Sequence, residues 1–437
     1  MDPVLLKYLE KYAEPEVRRL KVLGHYESAL VVPAYAESDE FISTLVKQQA
    51  HRNPALPRLL ILVVNERADA PAEASAANRR LLDSCFSRAT ASKELGSPFC
   101  TLHSFEDAPG LDLLSVDMCQ PSFRLRKKEG VGRARKLGTD IALLLYSKGA
   151  LKSRFVGSTD CDVRLPLDYF ETLEACSLAS GSSALLFPYS HTVAENAQIQ
   201  ARMCEVEASF RHYVLGLAWA GSPFAYHSLG SALAISLPHY ARVRGFPNRQ
   251  AGEDFHLLSK LAKLAPLRRL RWPQVVIETR VSHRAPFGTG PSLAKVLEQD
   301  KSGIEPRLFY DARAFQSLKV LLATLVQAAD QNHMSRQALN DLSELQRAEA
   351  TRIWSGLEPH LAHCPSGAHR RARLHESFDA LATLQFIHQL HHPGGLKKLT
   401  WRETAMAEGG SEAPSDPETY LFHLKELEGS LPDLMGP

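Results

Sequence analysis

The sequence predicts an α/β fold, a mixed but mostly parallel sheet flanked by helices, with a mainly helical region after it. Three observations carry this. Short apolar runs alternate with helix-like segments from about residue 28 to 187. One run, LLILVV at 59–64, is apolar at every position, as befits a strand buried on both faces of a parallel sheet. Beyond residue 310, helical periodicity continues with few strand signals.

Taken in order, ALVV at 29–32 is a strand ending at Pro33. A helix follows from Ser38, read as its N-cap, with Phe41, Ile42, Leu45 and Val46 on one face. Residues 59–64 form the second strand, 72–84 a helix and 111–116 a weaker third strand. Residues 132–145 read as a helix entered through a basic, Gly-containing loop, and 154–158 and 183–187 as short strands. In the C-terminal region, 312–328, 335–354 and 375–390 carry helical periodicity. The expected organisation is an N-terminal helical segment over 1–24, the α/β domain over 25–300 and the mainly helical region over 301–437. Within the last, AMAEGGSEAPSDPE at 405–418 reads as a mobile acidic loop.

A chain of 437 residues suffices for one large domain and a smaller one. Hydrophobic residues at 44% and charged residues at 23% are ordinary globular values, so a sizeable core is expected. A net charge of +2 gives no global pull toward nucleic acid. The seven cysteines are odd in number and lack CxxC pairs, which argues against a disulfide framework or zinc finger and for a reducing, cytoplasmic setting. The N-terminus has no apolar core or cleavage site of a signal peptide, and no run reaches the length of a membrane span.

The chemistry concentrates in a few places. GSTDCDVR at 157–164 puts Asp160 and Asp162 just after a strand, where an extended backbone projects both to one side and Cys161 to the other. Two such carboxylates repel unless a cation or proton lies between them, and hard Mg²⁺ or Mn²⁺ suits oxygen ligands. AGEDF at 251–255 opens a helix with Glu253 and Asp254. They read either as acids favoured by the helix macrodipole or as a general base for an acceptor hydroxyl. His283 stands between Arg280 and Arg284, a neutral imidazole for a metal beside guanidiniums for phosphate, ahead of a Gly-rich stretch at 287–290. RLRKKEGVGRARK at 124–136 is the most basic run, and Lys127, Lys128, Arg133 and Arg135 are expected to face phosphates, with a solvated basic face as the alternative. The histidines at 363, 369, 375, 388, 391 and 392 lack any HExxH or CxxC context and read as structural or surface residues.

The order of these elements resembles the GT-A fold glycosyltransferases, family 2 in particular, over about residues 28–290. LVVPAYAE at 30–37 is similar to that family's VPAYNE-type start, with Ala36 where Asn is common. GVGRARKLGTDIA at 130–142 resembles its G-x-ARN-x-G helix, with Lys136 for Asn, and STDCD sits at the DxD position. LGSALAISLPHYARVRGFPNRQAGED at 229–254 is similar to the acceptor-side segment ending in an ED pair, and His283 falls where a third metal ligand occurs. The resemblance implies a GT-A fold: a Rossmann-like, mixed, mostly parallel sheet with flanking helices. It implies that Pro33, Tyr35 and Glu37 line a nucleoside pocket, with Asn65 or Glu66 at the base or ribose. It also implies that Asp160, Asp162 and His283 hold Mn²⁺ or Mg²⁺ and that Lys128, Arg135, Asp160, Arg280 and Arg284 meet the donor diphosphate. Asp254 is implied as the base, with Glu253 beside it. The QxxRW signature of processive members is absent.

The expected function is therefore transfer of a single sugar from a nucleoside-diphosphate sugar to a hydroxyl acceptor by a metal-dependent, inverting hexosyltransferase. The alternatives are a retaining transferase to a small polar acceptor such as a glycerate, or a non-catalytic nucleotide-sugar binder. A nucleotidyltransferase is disfavoured because PAYAESDE lacks a GxGxR-like loop and its lysine.

Overall fold

The computed structural model describes residues 2–21, 24–50, 52–95, 99–126, 129–179, 181–249, 251–284, 286–361, 363–409 and 414–434. The chain divides into two compact units. The first comprises Met1–Thr192, Ser228–Leu261 and Leu267–Glu278, the second Val193–His227, Ala262–Pro266 and Thr279–Pro437.

The first unit opens with α1 (Pro3–Lys11), capped by Asp2, whose carboxylate accepts from the Val4 amide at 2.8 Å. A 3₁₀ turn, Pro15–Arg19, follows. Then come β1 (Ser28–Ala34), α2 (Glu40–Gln49), β2 (Arg58–Asn65) and α3 (Ala72–Arg88). The α2 N-cap is Asp39 rather than Ser38, while Phe41, Ile42, Leu45 and Val46 form its buried face as the periodicity requires. Next are β3 (Ala91–Glu94), β4 (Cys100–Ser104), β5 (Leu111–Met118) and α4 (Val131–Ser147). The β3–β4 hairpin has no counterpart in the sequence reading, because ASKE is polar and fully exposed and offers no alternation. After β6 (Phe155–Ser158), β7 (Val163–Arg164), α5 (Tyr169–Ala179), β8 (Ala184–Leu186) and β9 (Tyr189–His191), the chain enters the second unit as α6 (Ala197–Trp219). It returns with β10 (Leu233–Ser236), α7 (Leu237–Arg242), α8 (Glu253–Ala262), β11 (Leu267–Arg269) and β12 (Val275–Ile277).

Among the described residues nine strands make one sheet, in the order β11-β8-β10-β6-β1-β2-β5-β4-β3, and β7-β12-β9 make a smaller one. The centre, β6-β1-β2-β5, is parallel, with Leu30 opposite Leu60 and Gly157. β10 is antiparallel to β6, and β4 to β5. β1 and β2 are buried along their whole length, and each Leu, Ile or Val there contributes about 1.5–3 kcal/mol. Helix α4 lies on β1 and β2 because Gly138 has no side chain: a Cβ there would stand 2.4 Å from Val31 Cγ1 and 3.2 Å from Val63 Cγ2. The order β1, β2, β5 runs to one side of β1 and β6 lies on the other. β1 and β6 thus flank the point where the strand order reverses, and the carboxyl ends of such strands are where open α/β sheets bind ligands.

The N-terminal segment is locked to α4. Asp140, fully buried, accepts from Tyr8 Oη at 2.7 Å, the Glu14 amide at 2.8 Å, Lys136 Nζ at 2.7 Å and Tyr240 Oη at 3.0 Å. Lys136 also donates to the Tyr12 carbonyl at 2.7 Å. Arg133 reaches Glu14, Glu16 and Glu129 at 3.3, 2.8 and 3.1 Å. The expectation that Arg133 faces phosphates is corrected here: three carboxylates already hold it.

The second unit is helical, as the periodicity predicts. Besides α6 it contains α9 (Thr289–Lys301), α10 (Ala312–Gln331), α11 (Arg336–Asn340), α12 (Glu344–Leu361), α13 (Gly367–Ser377), α14 (Ala380–Leu390), α15 (Trp401–Gly409) and α16 (Pro417–Gly429). Leu318, Leu321, Leu325, Ile353, Leu357 and Phe386 are among its core. Two expected helices are each divided. The run at 335–354 breaks because Ser343 and Gln346 form a capping box, with the Ser343 amide donating to Gln346 Oε1 at 2.9 Å. The run at 375–390 breaks because Asp379 caps α14, accepting from the Leu381 and Ala382 amides at 3.0 and 3.2 Å. The acidic stretch at 405–418 is helical at both ends, since α15 runs to Gly409 and Asp416 with Pro417 starts α16. Residues 410–413 of it lie outside the described residues. Among the described residues no helix is long and apolar enough to cross a membrane.

Candidate active site

The carboxyl ends of the parallel strands gather most of the residues singled out in the first unit. β1 delivers Pro33, then Tyr35, Ala36 and Glu37, all three half-buried. Ala36 has φ +53°, a left-handed conformation that costs a non-glycine residue about 1 kcal/mol. Its amide donates to Asn78 Oδ1 at 2.8 Å. β2 delivers Asn65 and Glu66, and both are buried. The Asn65 amide nitrogen donates to the Ala34 carbonyl at 2.9 Å, and Glu66 pairs with Arg124 at 2.8 Å and accepts from Asn78 at 3.4 Å. These polar groups tie the ends of β1 and β2 to α3 and to the Arg124 loop.

β6 ends at Ser158, and the backbone then turns rather than continuing extended: the Val163 amide donates to the Asp160 carbonyl at 3.3 Å. The expectation of a strand-borne aspartate pair is corrected to a turn. The Cys161 thiol lies 3.9 Å from the Pro33 carbonyl. The Thr159 amide donates to the Val31 carbonyl at 3.1 Å, which fixes the turn against β1. Asp160 keeps 32% of its side chain exposed, and Asp162 is half-buried, with its carbonyl accepting from the Glu278 amide at 2.8 Å.

Arg135 joins this turn to the second acidic pair. Its guanidinium, 4% exposed, donates to Asp160 Oδ1 at 2.6 Å, Glu253 Oε1 at 2.9 Å, Ser158 Oγ at 3.0 Å, and the Thr159 and Gly230 carbonyls at 3.2 Å. Such a fork-shaped cation can span two carboxylates where an ammonium cannot. Burial alone would lower its pKa, but Asp160, Glu253 and Asp254 together hold it above the usual arginine range. Two glycines make room. A Cβ on Gly230 would lie 2.7 Å from Arg135 Nη2, and one on Gly132 would lie 3.0 Å from the Pro247 and Arg249 carbonyls and 3.1 Å from Glu253 Cβ.

Glu253 is buried and Asp254 half-buried at the start of α8. Although adjacent, both act on Arg135, one by direct contact and the other through its charge. Asp254 Oδ2 accepts from the Gly230 amide at 2.8 Å. Burial, reinforced by the neighbouring Glu253 carboxylate and opposed by Arg135, pushes the Asp254 carboxyl up to about 7.

The cluster thus sets one guanidinium against three carboxylates, those of Asp160, Glu253 and Asp254. Mg²⁺ and Mn²⁺ take one or two protein carboxylates and complete their shell with water and phosphate oxygens, and Asp160 and Asp162 are carboxylates of that kind on one turn, with Asp160 already bound to Arg135. Among the described residues no three His, Cys, Asp or Glu side chains gather to hold a metal by themselves. The expected third ligand, His283, is exposed and belongs to the second unit, as do Arg280 and Arg284. There the loop folds on itself: a Cβ on Gly290 would stand 2.9 Å from Ser282 Cβ, and α9 already begins at Thr289. Lys127 and Lys128 lie outside the described residues. Sequence reasoning missed Ser158, Gly230, Asn78 and Arg124. For Gly230 a signal existed, since LGSA precedes a strand with a glycine that only a close approach requires.

The chain matches no protein-family model and no curated protein. Among solved structures, residues 1–349 of TarS from S. aureus in complex with UDP-GlcNAc align at 12% identity over 85% of this chain and 93% of that chain, with a TM-score of 0.39. Mannosyltransferase PcManGT from Pyrobaculum calidifontis in complex with GDP-Man and Mn²⁺ aligns at 15% identity over 97% of this chain and 94% of that one, with a TM-score of 0.31.

Proposed function

We propose that this chain is a metal-dependent glycosyltransferase of the GT-A type that moves one hexose from a nucleoside-diphosphate sugar to a hydroxyl acceptor with inversion. The observation that carries the reading is Arg135, a buried guanidinium that binds the Asp160 turn to the Glu253–Asp254 pair at the carboxyl edge of the parallel strands. Pro33, Tyr35 and Glu37 take the nucleoside side of the site, and Asn65 and Glu66 brace it from beneath. Asp160 and Asp162 hold Mn²⁺ or Mg²⁺, which when bound neutralises the leaving diphosphate.

Asp254 serves as general base. Its carboxyl, raised to about 7, is poised to accept a proton near neutral pH. As the acceptor hydroxyl gives that proton to Asp254, its oxygen attacks the anomeric carbon, and the bond to the diphosphate breaks with its electron pair leaving on phosphate. Glu253 fixes Arg135, and Arg135 in turn fixes Asp160, so the base and the diphosphate-binding turn keep one geometry. The test is incubation with a panel of nucleoside-diphosphate sugars and mixed hydroxyl acceptors, with and without Mn²⁺, read by mass spectrometry. Released nucleoside diphosphate with a hexose-mass product supports the reading. Released pyrophosphate, or no turnover of any donor, overturns it.

A further inference from the structure

Helix α3 borders a pocket that the reading above does not use. It has a volume of about 520 Å³ and is lined by Ala72, Ser75, Ala76, Arg79, Arg80 and Asp83 of that helix and by Arg124 from the loop after β5. Three guanidiniums thus line one hollow against a single carboxylate. The sequence makes the space, because AEASAANRR sets small residues over the first two turns of α3 and two long basic side chains on the next. At helical spacing Arg79 stands one turn above Ser75 and Ala76, and Arg80 one turn above Ala76. The buried face of α3 holds Ala74, Asn78, Leu81 and Cys85, and the lining positions fall on a different face. None of the residues placed in the reaction above lines the pocket.

Arg124 is held in place by the protein itself. Its Nη2 forms an ion pair with Glu66 at 2.8 Å, and its Nε donates to the Cys119 carbonyl at 2.8 Å, while 33% of the side chain stays exposed. The backbone around it is stitched to the segment that leads into α3: the Leu125 amide donates to the Glu66 carbonyl at 2.8 Å, and the Ala68 amide to the Leu125 carbonyl at 3.3 Å. Arg79 and Arg80 are exposed, and among the described residues neither makes an ion pair. Asp83 lies one turn from both on α3 and pairs with neither. The pocket is therefore a local concentration of positive charge in a chain whose net charge is only +2.

We infer that Arg79, Arg80 and Arg124 bind the phosphate of a small phosphate-bearing molecule in this pocket, a site that stands apart from the proposed transfer and does not rest on it. Guanidinium forks match phosphate oxygens two at a time, and two unpaired cations suit the charge of about −1.5 to −2 on a phosphate monoester better than that of a single carboxylate. Ser75 adds a hydroxyl to the same lining. The volume falls within the range of about 300–1,000 Å³ usual for small-molecule sites and exceeds what a phosphate alone fills, so an organic group has room beside Ala72 and Ala76.

The test is isothermal titration of the full chain, free of divalent metal, with inorganic phosphate and, separately, glucose 6-phosphate, at constant ionic strength against chloride. The two arms distinguish free phosphate from an ester. At least one should bind, and Arg79→Gln with Arg80→Gln in one chain should weaken that binding by about tenfold or more, the loss expected for hydrogen bonds to a charged group. Both positions are exposed, and either single replacement, expected to weaken binding severalfold, keeps the test open should the pair perturb the fold. Lys7→Gln with Lys11→Gln, which removes two exposed charges from α1, should leave the affinity unchanged. The ligand that binds should raise the melting temperature of the wild type and not that of the Arg79–Arg80 variant. No binding in either arm, wild-type affinity in the Arg79–Arg80 variant and both single replacements, or an equal loss in the Lys7–Lys11 variant overturns the inference.

Discussion

Arg135 and Lys136 are neighbours on α4, both buried and both paired with acids, and they illustrate two different uses of a buried charge. The Lys136 cluster is closed. Asp140 has no exposure and spends both oxygens on four donors from α1, the segment after it, α4 and α7. The Arg135 cluster is open. Among the described residues Asp160 meets a single side-chain donor and stays 32% exposed, and the Asp254 carboxyl is raised to about 7 by burial and a second carboxylate. The closed cluster is saturated and fastens the N-terminal segment. The open one carries more acid than its one guanidinium can satisfy, at the edge where the sheet's order reverses. Surplus, partly exposed acid marks a place where something else must bind or a proton must move.

The two clusters should therefore fail differently. The largest expected effect is on chemistry: Asp254→Asn should lower turnover by about 10²- to 10⁴-fold while donor affinity, measured by calorimetry, stays close to wild type. Asp140→Ala should instead cost about 3–5 kcal/mol of stability in urea unfolding, because it strands a buried ammonium. Arg135→Lys keeps the charge but cannot span Asp160 and Glu253. Activity should fall about a hundredfold, with a much smaller change in the urea midpoint than Asp140→Ala gives.

A pH series sharpens the same contrast. The Asp254 carboxyl is raised from the ordinary 3.8 to about 7, so between those values the folded chain holds a proton that the unfolded chain has released. Its contribution to stability is present below 3.8 and lost as pH rises through about 7. Asp254→Asn should therefore gain stability over wild type at pH 8 and show little gain at pH 4, as read by thermal unfolding. The smallest effect concerns Ala36: replacement by Gly should stabilise by up to about 1 kcal/mol, since φ +53° then carries no side-chain penalty.

Much of the α/β frame was legible in the sequence because its strands are buried on both faces. LLILVV and the face of α2 leave little room for another reading. The β3–β4 hairpin was not legible, since an exposed ASKE edge strand carries no pattern, and the divided helices depended on caps at Ser343 and Asp379 inside periodic runs. At the site, the acids were legible by type and position. What the sequence could not supply was their partner. Arg135 lies in a run of basic residues of which Arg133 and Lys136 serve the N-terminal segment, and only the one-residue step around α4 sorts them. Gly132, Gly138 and Gly230 are explained by approach distances rather than by any nucleotide-binding glycine loop.

The most direct test of the central claim is the anomeric configuration of the product, followed by NMR during turnover of whichever nucleoside-diphosphate sugar the wild type accepts, with Asp254→Asn run beside it. The account predicts a product inverted relative to the donor and a signal all but lost in the variant. A product that retains the donor's configuration, or an Asp254→Asn chain that keeps most of its turnover, would contradict it.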